Sequence, residues 1–232
     1  MVGLPTNPPN NGSDRGIHDL VCQKEKMALK INVKETAISI NHCQNDIVDE
    51  KGLFAYAKAW AQVKKYNVLA NIAKATAASR AAGMMVIYGN IITQPGYPTK
   101  ETKTFNIPLM KGFWQKGACA PGTWGAANPD VIKPQKGDLI VENPATDVFM
   151  GTDLDLILRG NDKFNLILTG VASNWVINST ARHGMELGYN IIIIKDCCQS
   201  FNDELHNFAM NVELPNLAQV ITLDEYLAAL KK

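Results

Sequence analysis

The sequence has no long hydrophobic run, almost no net charge and no export signal. Its apolar stretches fall far short of the roughly 20 residues that a membrane-spanning helix needs. Lys and Arg number 23 against 22 Asp and Glu, which gives a formal net charge of +1 without any dense basic stretch. Nucleic acid and membranes are therefore not expected as partners. The first residues lack the charged-then-apolar layout of a signal peptide, which favours a cytoplasmic location.

Cysteine and histidine are scarce, and they are not spaced as metal ligands. The five cysteines form an odd set: Cys22, Cys43, Cys119, Cys197 and Cys198. Reduced thiols are expected from this number in a chain without an export signal. No Cys or His pair has zinc-ligand spacing, and no GxGxxG follows the first predicted strand. The sequence therefore predicts no metal and no other cofactor.

What is present is enough apolar material for one core. The chain has 232 residues, of which 46% are hydrophobic and 19% charged. A single domain of this length buries roughly 70% of its unfolded surface and needs no disulfides. Residues 1–30, rich in Pro, Asn and Gly, are predicted to form an irregular arm. Residues 31–232 are predicted to form one α/β domain.

Six apolar runs, each ending in polar or small residues, predict six strands. They span residues 35–41, 84–90, 137–143, 164–170, 189–196 and 218–222. Helical patterns lie between them, at about 53–82, from Thr152, at 174–187 and from Leu223. Strands that alternate with helices predict a doubly wound, mainly parallel six-stranded sheet in a three-layer α-β-α architecture.

The stretch from 91 to 134 does not follow this alternation. It is rich in Gly and Pro and carries aromatics at 105, 113, 114 and 124. Long connections of this kind are usually functional or disordered, and the aromatics argue against disorder. Two interpretations stay open: a lid or subunit contact over the strand ends, or a packed surface loop.

Four segments resemble, in order, the motifs of the isochorismatase-like hydrolases, a superfamily of cysteine hydrolases. They are CQND (43–46), PGTWGAANPDVIKPQKGDLIVENP (121–144), FMGTDLDLIL (149–158) and TGVASNWVINSTARHGMELGYN (169–190). The resemblance runs from about 35 to 230 and implies the same doubly wound fold. It also implies a small-molecule substrate and a homo-oligomer, either a dimer or a tetramer.

The catalytic residues that the resemblance implies are not found at the matching positions. The family uses an attacking cysteine, a proton-accepting aspartate and a lysine that activates the thiol. Counted from the matched motifs, the aspartate, lysine and cysteine positions hold His42, Asn143 and Val176. Valine has no nucleophilic atom, so acyl-enzyme chemistry is impossible there.

His42 and Asn143 are the predicted catalytic pair. An imidazole titrates near neutrality, so His42 is expected to transfer a proton while Asn143 donates a hydrogen bond. The substrate would be a small cyclic or carboxylated metabolite. The alternative is an inactive family member that binds a ligand or partner. Losing a buried aspartate together with its lysine is electrostatically reasonable without any activity.

The resemblance places further residues around that pair. The predicted substrate-binding residues are Trp114, Phe149, Ala172, Ser173, Trp175 and Val176. The aromatics would line an apolar pocket, with core packing as the alternative. The backbone at Ala172 and Ser173 would hold a substrate oxygen, or be kept only for the strand–helix junction.

A few other residues carry weaker expectations. Cys119 could reach the pocket from its loop, although an incidental loop cysteine is the commoner case. Asp147 is expected to cap a helix or face solvent. His183 and His206 are expected to be exposed on helix faces.

Overall fold

The computed structural model describes residues 29–93 and 108–231. The predicted arm at 1–30 therefore lies almost wholly outside the described residues. So does the part of the aromatic stretch between 94 and 107. Everything below concerns the described ranges.

A parallel six-stranded sheet forms the centre of the fold. Its strands are β1 (Thr36–Asn41), β2 (Met85–Ile91), β3 (Leu139–Asn143), β4 (Asn165–Val171), β5 (Asn190–Gln199) and β6 (Gln219–Ile221). They lie in the order β3-β2-β1-β4-β5-β6, and every neighbouring pair is parallel. The predicted fold class is confirmed. The winding direction reverses between β1 and β4, which is where doubly wound sheets bind ligands.

Helices cover both faces of the sheet. Within the described residues they are α1 (Asn45–Val48), α2 (Ala59–Lys65), α3 (Val68–Ala81), α4 (Pro108–Gln115), α5 (Leu154–Gly160), α6 (Asn178–Glu186), α7 (Asp203–Phe208) and α8 (Leu223–Leu230). A π turn, Ser173–Ile177, leads into α6. In the described parts of the chain, no helix has the length and apolar character that crossing a membrane requires.

The core consists of two clusters, one on each face of the sheet. Side chains of α3 and α8, such as Ile72 and Tyr226, pack on one face. Side chains of α5 and α6, such as Leu158 and Ala181, pack on the other. Strands covered on both sides explain why the predicted strands read as continuous apolar runs instead of alternating ones.

The helix predicted over 53–82 is in fact two helices. Lys58, before α2, has φ of 63°, and Asn67, between α2 and α3, has φ of 53°. Asparagine tolerates the left-handed conformation better than most residues, so it permits a break that the apolar period does not signal. By contrast, α8 begins at the predicted cap: Thr222 Oγ1 accepts from Glu225 N at 3.1 Å.

The part of the aromatic stretch that is described packs over the carboxyl ends of the strands. The N–H groups of Asn45 and Asp46 donate to the carbonyls of Ala127 and Gly125, at 2.9 and 3.0 Å. These bonds tie the segment to α1. Helix α4 was not predicted, because the Gly- and Pro-rich composition around it masks its apolar face.

The carboxyl ends of β1 and β4 approach each other closely at Gly170. Its φ is +131°, and a Cβ there would lie 2.1 Å from the carbonyl oxygen of Asn41. The side chain of Asn41 also donates to the carbonyl of Thr169 at 3.0 Å. Glycine is therefore required at this position, since backbone atoms cannot move aside without breaking the strand pairing.

Replacing Gly170 with alanine is expected to lower the free energy of unfolding by about 3 kcal/mol or more, through the clash and the positive φ. Gly160→Ala is the matched control, because no atom lies within 4 Å of a Cβ placed there. Chemical denaturation monitored by circular dichroism measures both. Equal midpoints for the two variants would contradict the close approach.

Candidate active site

His42 is placed by a backbone reversal at the end of β1. Its φ is 52°, in the left-handed region, and its N–H donates to the Gly89 carbonyl at 2.8 Å. Histidine is among the residues that tolerate this region. The side chain is 4% exposed, so the imidazole is almost fully removed from water.

Asn143, the last residue of β3, fixes which ring nitrogen of His42 carries the hydrogen. The Asn143 Nδ2 group donates to the carbonyls of Ala145 and of Asp147, the latter at 3.3 Å. Its Oδ1 is therefore the atom that faces His42 Nε2, at 3.1 Å. An oxygen can only accept, so His42 is assigned the Nε2–H tautomer with a free lone pair on Nδ1.

Burial determines the protonation state of His42. It lowers the pKa of the imidazole to about 4, and the hydrogen bond with Asn143 opposes this only in part. The expectation of a histidine that titrates near neutrality is therefore wrong. At neutral pH the ring is uncharged, and its only N–H is held by Asn143. The neutral ring can accept a proton only through Nδ1, and it has no free N–H to donate; burial makes it a weaker base than a solvated imidazole.

A small apolar cavity adjoins the imidazole. It is lined by His42, Ile47, Phe54, Ile91, Met110, Phe113, Thr146, Val171, Ala172, Trp175 and Phe201. The volume open to the centre of a water-sized sphere is about 30 Å³, room for about two water molecules. Most of the described lining residues are apolar; His42, Thr146 and the indole N–H of Trp175 supply polar atoms, so a mainly apolar ligand with a polar group fits it best.

The isochorismatase domain, as defined for that protein family, matches residues 36–225. The chain belongs to the isochorismatase family. It is 30% identical over 209 residues to the family protein YecD of Escherichia coli, covering 87% of this chain and 100% of that protein. Identity is also 30% over 207 residues to the ureidoacrylate amidohydrolase RutB of Stutzerimonas stutzeri, covering 85% and 81%.

A solved structure shares the fold. An isochorismatase family protein from Burkholderia thailandensis superposes with a TM-score of 0.69 at 25% identity. The match covers 88% of this chain and 98% of that protein. The chain is thus similar over nearly its whole described length to members of a family of hydrolases.

Two of the predicted substrate-binding residues line the cavity of this family member. Ala172 follows a cis peptide bond with Val171, and both residues face the cavity. Trp175 meets Phe201 edge to face, with ring centroids 6.0 Å apart. Trp175 therefore forms part of the wall next to His42.

The other four predicted binding residues are not among those that line the cavity. Trp114 is buried beside Phe113, and Ser173 bonds to His206 Nδ1 at 2.9 Å. Val176 and Phe149 lie in the core cluster on the opposite face of the sheet. Their role in binding stays a prediction.

Most of the lining was not found from the sequence. Phe54 and Phe113 meet edge to face at 5.1 Å, although 59 positions separate them in the chain. No spacing rule connects them. Ile91 and Phe201 could have been inferred, because each closely follows or ends a predicted strand at the edge where ligands bind.

The four cysteines that are described do not line the cavity. Cys43, Cys119, Cys197 and Cys198 are buried free thiols outside the cavity lining. Burial raises the pKa of all four, and that of Cys43 to about 12. At neutral pH a thiol with that pKa is ionised in about one molecule in 10⁵. The structure does not bring Cys119 to the pocket.

Three polar residues differ from expectation. Asp147 does not face solvent: it is 7% exposed, and its Oδ2 lies 2.6 Å from His183 Nδ1. His183 and His206 are half-buried instead of exposed. Within 29–93 and 108–231, no group of three or more His, Cys, Asp or Glu side chains is arranged to hold a metal ion.

The lowered pKa of His42 predicts a pH dependence of stability. The pKa of the folded imidazole, about 4, lies below the ordinary histidine pKa of about 6.5. As pH falls from 6.5 to 4, the unfolded chain takes up a proton that the folded chain refuses. The free energy of unfolding should drop by about 3 kcal/mol over this range and then level off. His42→Gln should lose this component in urea titrations from pH 7 to 4.

Parallel stability curves for the two proteins would contradict the burial argument. If His42→Gln does not fold, NMR titration of the wild-type imidazole gives the same information. The His42 ring signals should stay constant from pH 8 down to about 5.

The thiols provide a separate prediction. In a Cys22→Ser background, the folded protein should show no rapidly reacting thiol toward a chromogenic disulfide at pH 7. All four remaining cysteines should react after denaturation, because only burial protects them. A fast-reacting thiol in the folded state would place a usable sulfur at the surface or in the cavity.

Proposed function

We propose that this protein is a hydrolase that activates water with the neutral imidazole of His42 and uses no thiolate. One observation carries the proposal. A buried ring next to the cavity has its Nε2–H held by Asn143, which leaves the Nδ1 lone pair free. Among the described residues, no group donates to that nitrogen. Membership in a family of hydrolases supports the reaction class.

The reaction follows from this arrangement. A water molecule in the cavity donates to Nδ1 and attacks the carbonyl carbon of the substrate while its proton passes to the ring. The imidazolium so formed is stabilised by the Asn143 oxygen and then returns the proton to the leaving group. Cleavage of a vinyl ether is less well supported, because it requires a proton donor and His42 enters the reaction unprotonated.

The lining favours an uncharged substrate. Among the described residues that line it there is no Lys or Arg, so a carboxylate there would lose its hydration without gaining a counter-ion from them. RutB is named a ureidoacrylate amidohydrolase, and ureidoacrylate is carboxylated. We propose instead that this chain acts on a small, flat amide or ester that carries a ring, which the rings of Phe54, Phe113 and Trp175 would contact.

The test compares two histidine variants with the wild-type protein. Benzamide and phenyl acetate serve as uncharged flat probes, and ureidoacrylate serves as the charged probe. His42→Gln should lower kcat/KM for the uncharged probes by about 10²–10⁴-fold, because proton transfer is lost. His206→Gln is the control, since that ring does not line the cavity.

Two results would sink the mechanism. One is full turnover in His42→Gln. The other is loss of turnover when Cys43, the cysteine next to His42, is replaced with serine. A preference for ureidoacrylate over benzamide would overturn the substrate class while leaving the role of His42 open.

A second candidate is a non-catalytic ligand-binding protein. The small cavity volume favours it, because a substrate of the proposed size is larger than two water molecules and would bind only if lining side chains move. Binding of benzamide with quenched Trp fluorescence but no hydrolysis would support this alternative.

We also propose a dimer or tetramer, since Phe208 and Val212 are each 53% exposed. Sedimentation equilibrium gives the size, and a monomer would refute this part.

A further inference from the structure

The segment 144–148, which follows β3, is held against helix α6 by three side chains of that helix. Ser179 Oγ donates to the Thr146 carbonyl at 2.8 Å. Thr180 Oγ1 accepts from Val148 N at 3.1 Å. One turn further along the helix, His183 meets Asp147 at 2.6 Å. We call this segment the β3 loop.

The β3 loop in turn sets the orientation of the Asn143 side chain. Both carbonyls that accept from Asn143 Nδ2, those of Ala145 and Asp147, belong to the loop. If they move away, the amide can rotate by 180° at little cost. Nδ2 would then donate to His42 Nε2, and the ring hydrogen would shift to Nδ1. The free lone pair would then be on Nε2, where it accepts from Asn143, and Nδ1 would have none to offer to a water molecule in the cavity.

Asp147 makes the loop sensitive to its hydrogen-bond partner, His183. The Asp147 carboxylate is almost fully buried. Its Oδ1 accepts from Phe149 N at 3.0 Å, and its Oδ2 faces His183. Without His183, Oδ2 is left with no side-chain donor while Oδ1 keeps Phe149 N, so the carboxylate is expected to turn Oδ2 toward water. Such a turn displaces the Asp147 carbonyl that holds Asn143.

We propose that Asp147 and His183 are positioning residues that keep His42 in its Nε2–H tautomer through the β3 loop and Asn143. Neither residue lines the cavity or touches the imidazole. The inference rests on the proposed role of His42 as proton acceptor. Its test reads the tautomer directly and needs no turnover.

The experiment uses the full chain labelled with ¹⁵N-histidine at pH 7.5. Only four histidines are present, so single substitutions assign every ring signal. In the wild-type protein, His42 should show a protonated Nε2 and an unprotonated Nδ1. In His183→Ala, the ratio of Nε2–H to Nδ1–H forms should fall by about 10-fold.

Two variants separate positioning from general damage. His183→Asn places an amide nitrogen near the position of Nδ1 and can still donate to Asp147, so it should restore the wild-type ratio. His206→Ala removes a half-buried histidine that bonds to Ser173 and not to the loop. It should leave the His42 signals unchanged. Thr180→Val, which removes a different loop contact, should act like His183→Ala.

The outcomes are distinguishable from failure of the proposed function. A wild-type His42 protonated on Nδ1 would overturn the role of the ring as proton acceptor. A wild-type His42 protonated on Nε2, with an unchanged ratio in folded His183→Ala and Thr180→Val, would overturn only the positioning role. Equal effects of His183→Ala and His206→Ala would also overturn it.

Discussion

The chemistry of this site depends on the direction in which one amide points. Asn143 donates to two carbonyls on its own side of the sheet edge, and so it presents an oxygen to His42. That oxygen fixes the hydrogen on Nε2 and leaves Nδ1 free. Burial then keeps the ring neutral, with a pKa of about 4. Hydrogen-bond geometry leaves Nδ1 as the one ring nitrogen that can accept a proton, while desolvation makes the ring a weaker base than a histidine that titrates near pH 6.5.

The sheet topology explains why these groups meet. His42 directly follows β1 and Asn143 ends β3, and β2 separates the two strands in the sheet. The left-handed backbone conformation of His42 directs its side chain across the end of β2. The backbone N–H of His42 donates there to the carbonyl of Gly89. On the other side, Gly170 permits β4 to approach β1 closely enough for Val171 and Ala172 to wall the cavity.

The strands could be predicted because each apolar run ends in small or polar residues. Helix α8 could be predicted because Thr222 caps it. The break at Asn67 could not, since the apolar period continues through it. The pairing of His42 with Asn143 followed from the family resemblance. The protonation state of His42 did not, because desolvation depends on Phe54, Phe113 and other residues that only folding brings together. The tautomer depends on where the carbonyls of Ala145 and Asp147 point, which the sequence does not encode locally.

The pH dependence of kcat/KM tests the central claim most directly, because it reports the pKa of the essential group in the free enzyme. With benzamide or phenyl acetate as substrate, a neutral buried imidazole predicts a flat profile from pH 8 down to about 5. Below that, activity should fall with a midpoint of about 4. A rising limb centred near 6.5 would indicate a solvated histidine, and one near 8.5 would indicate a thiolate. Either would contradict the account.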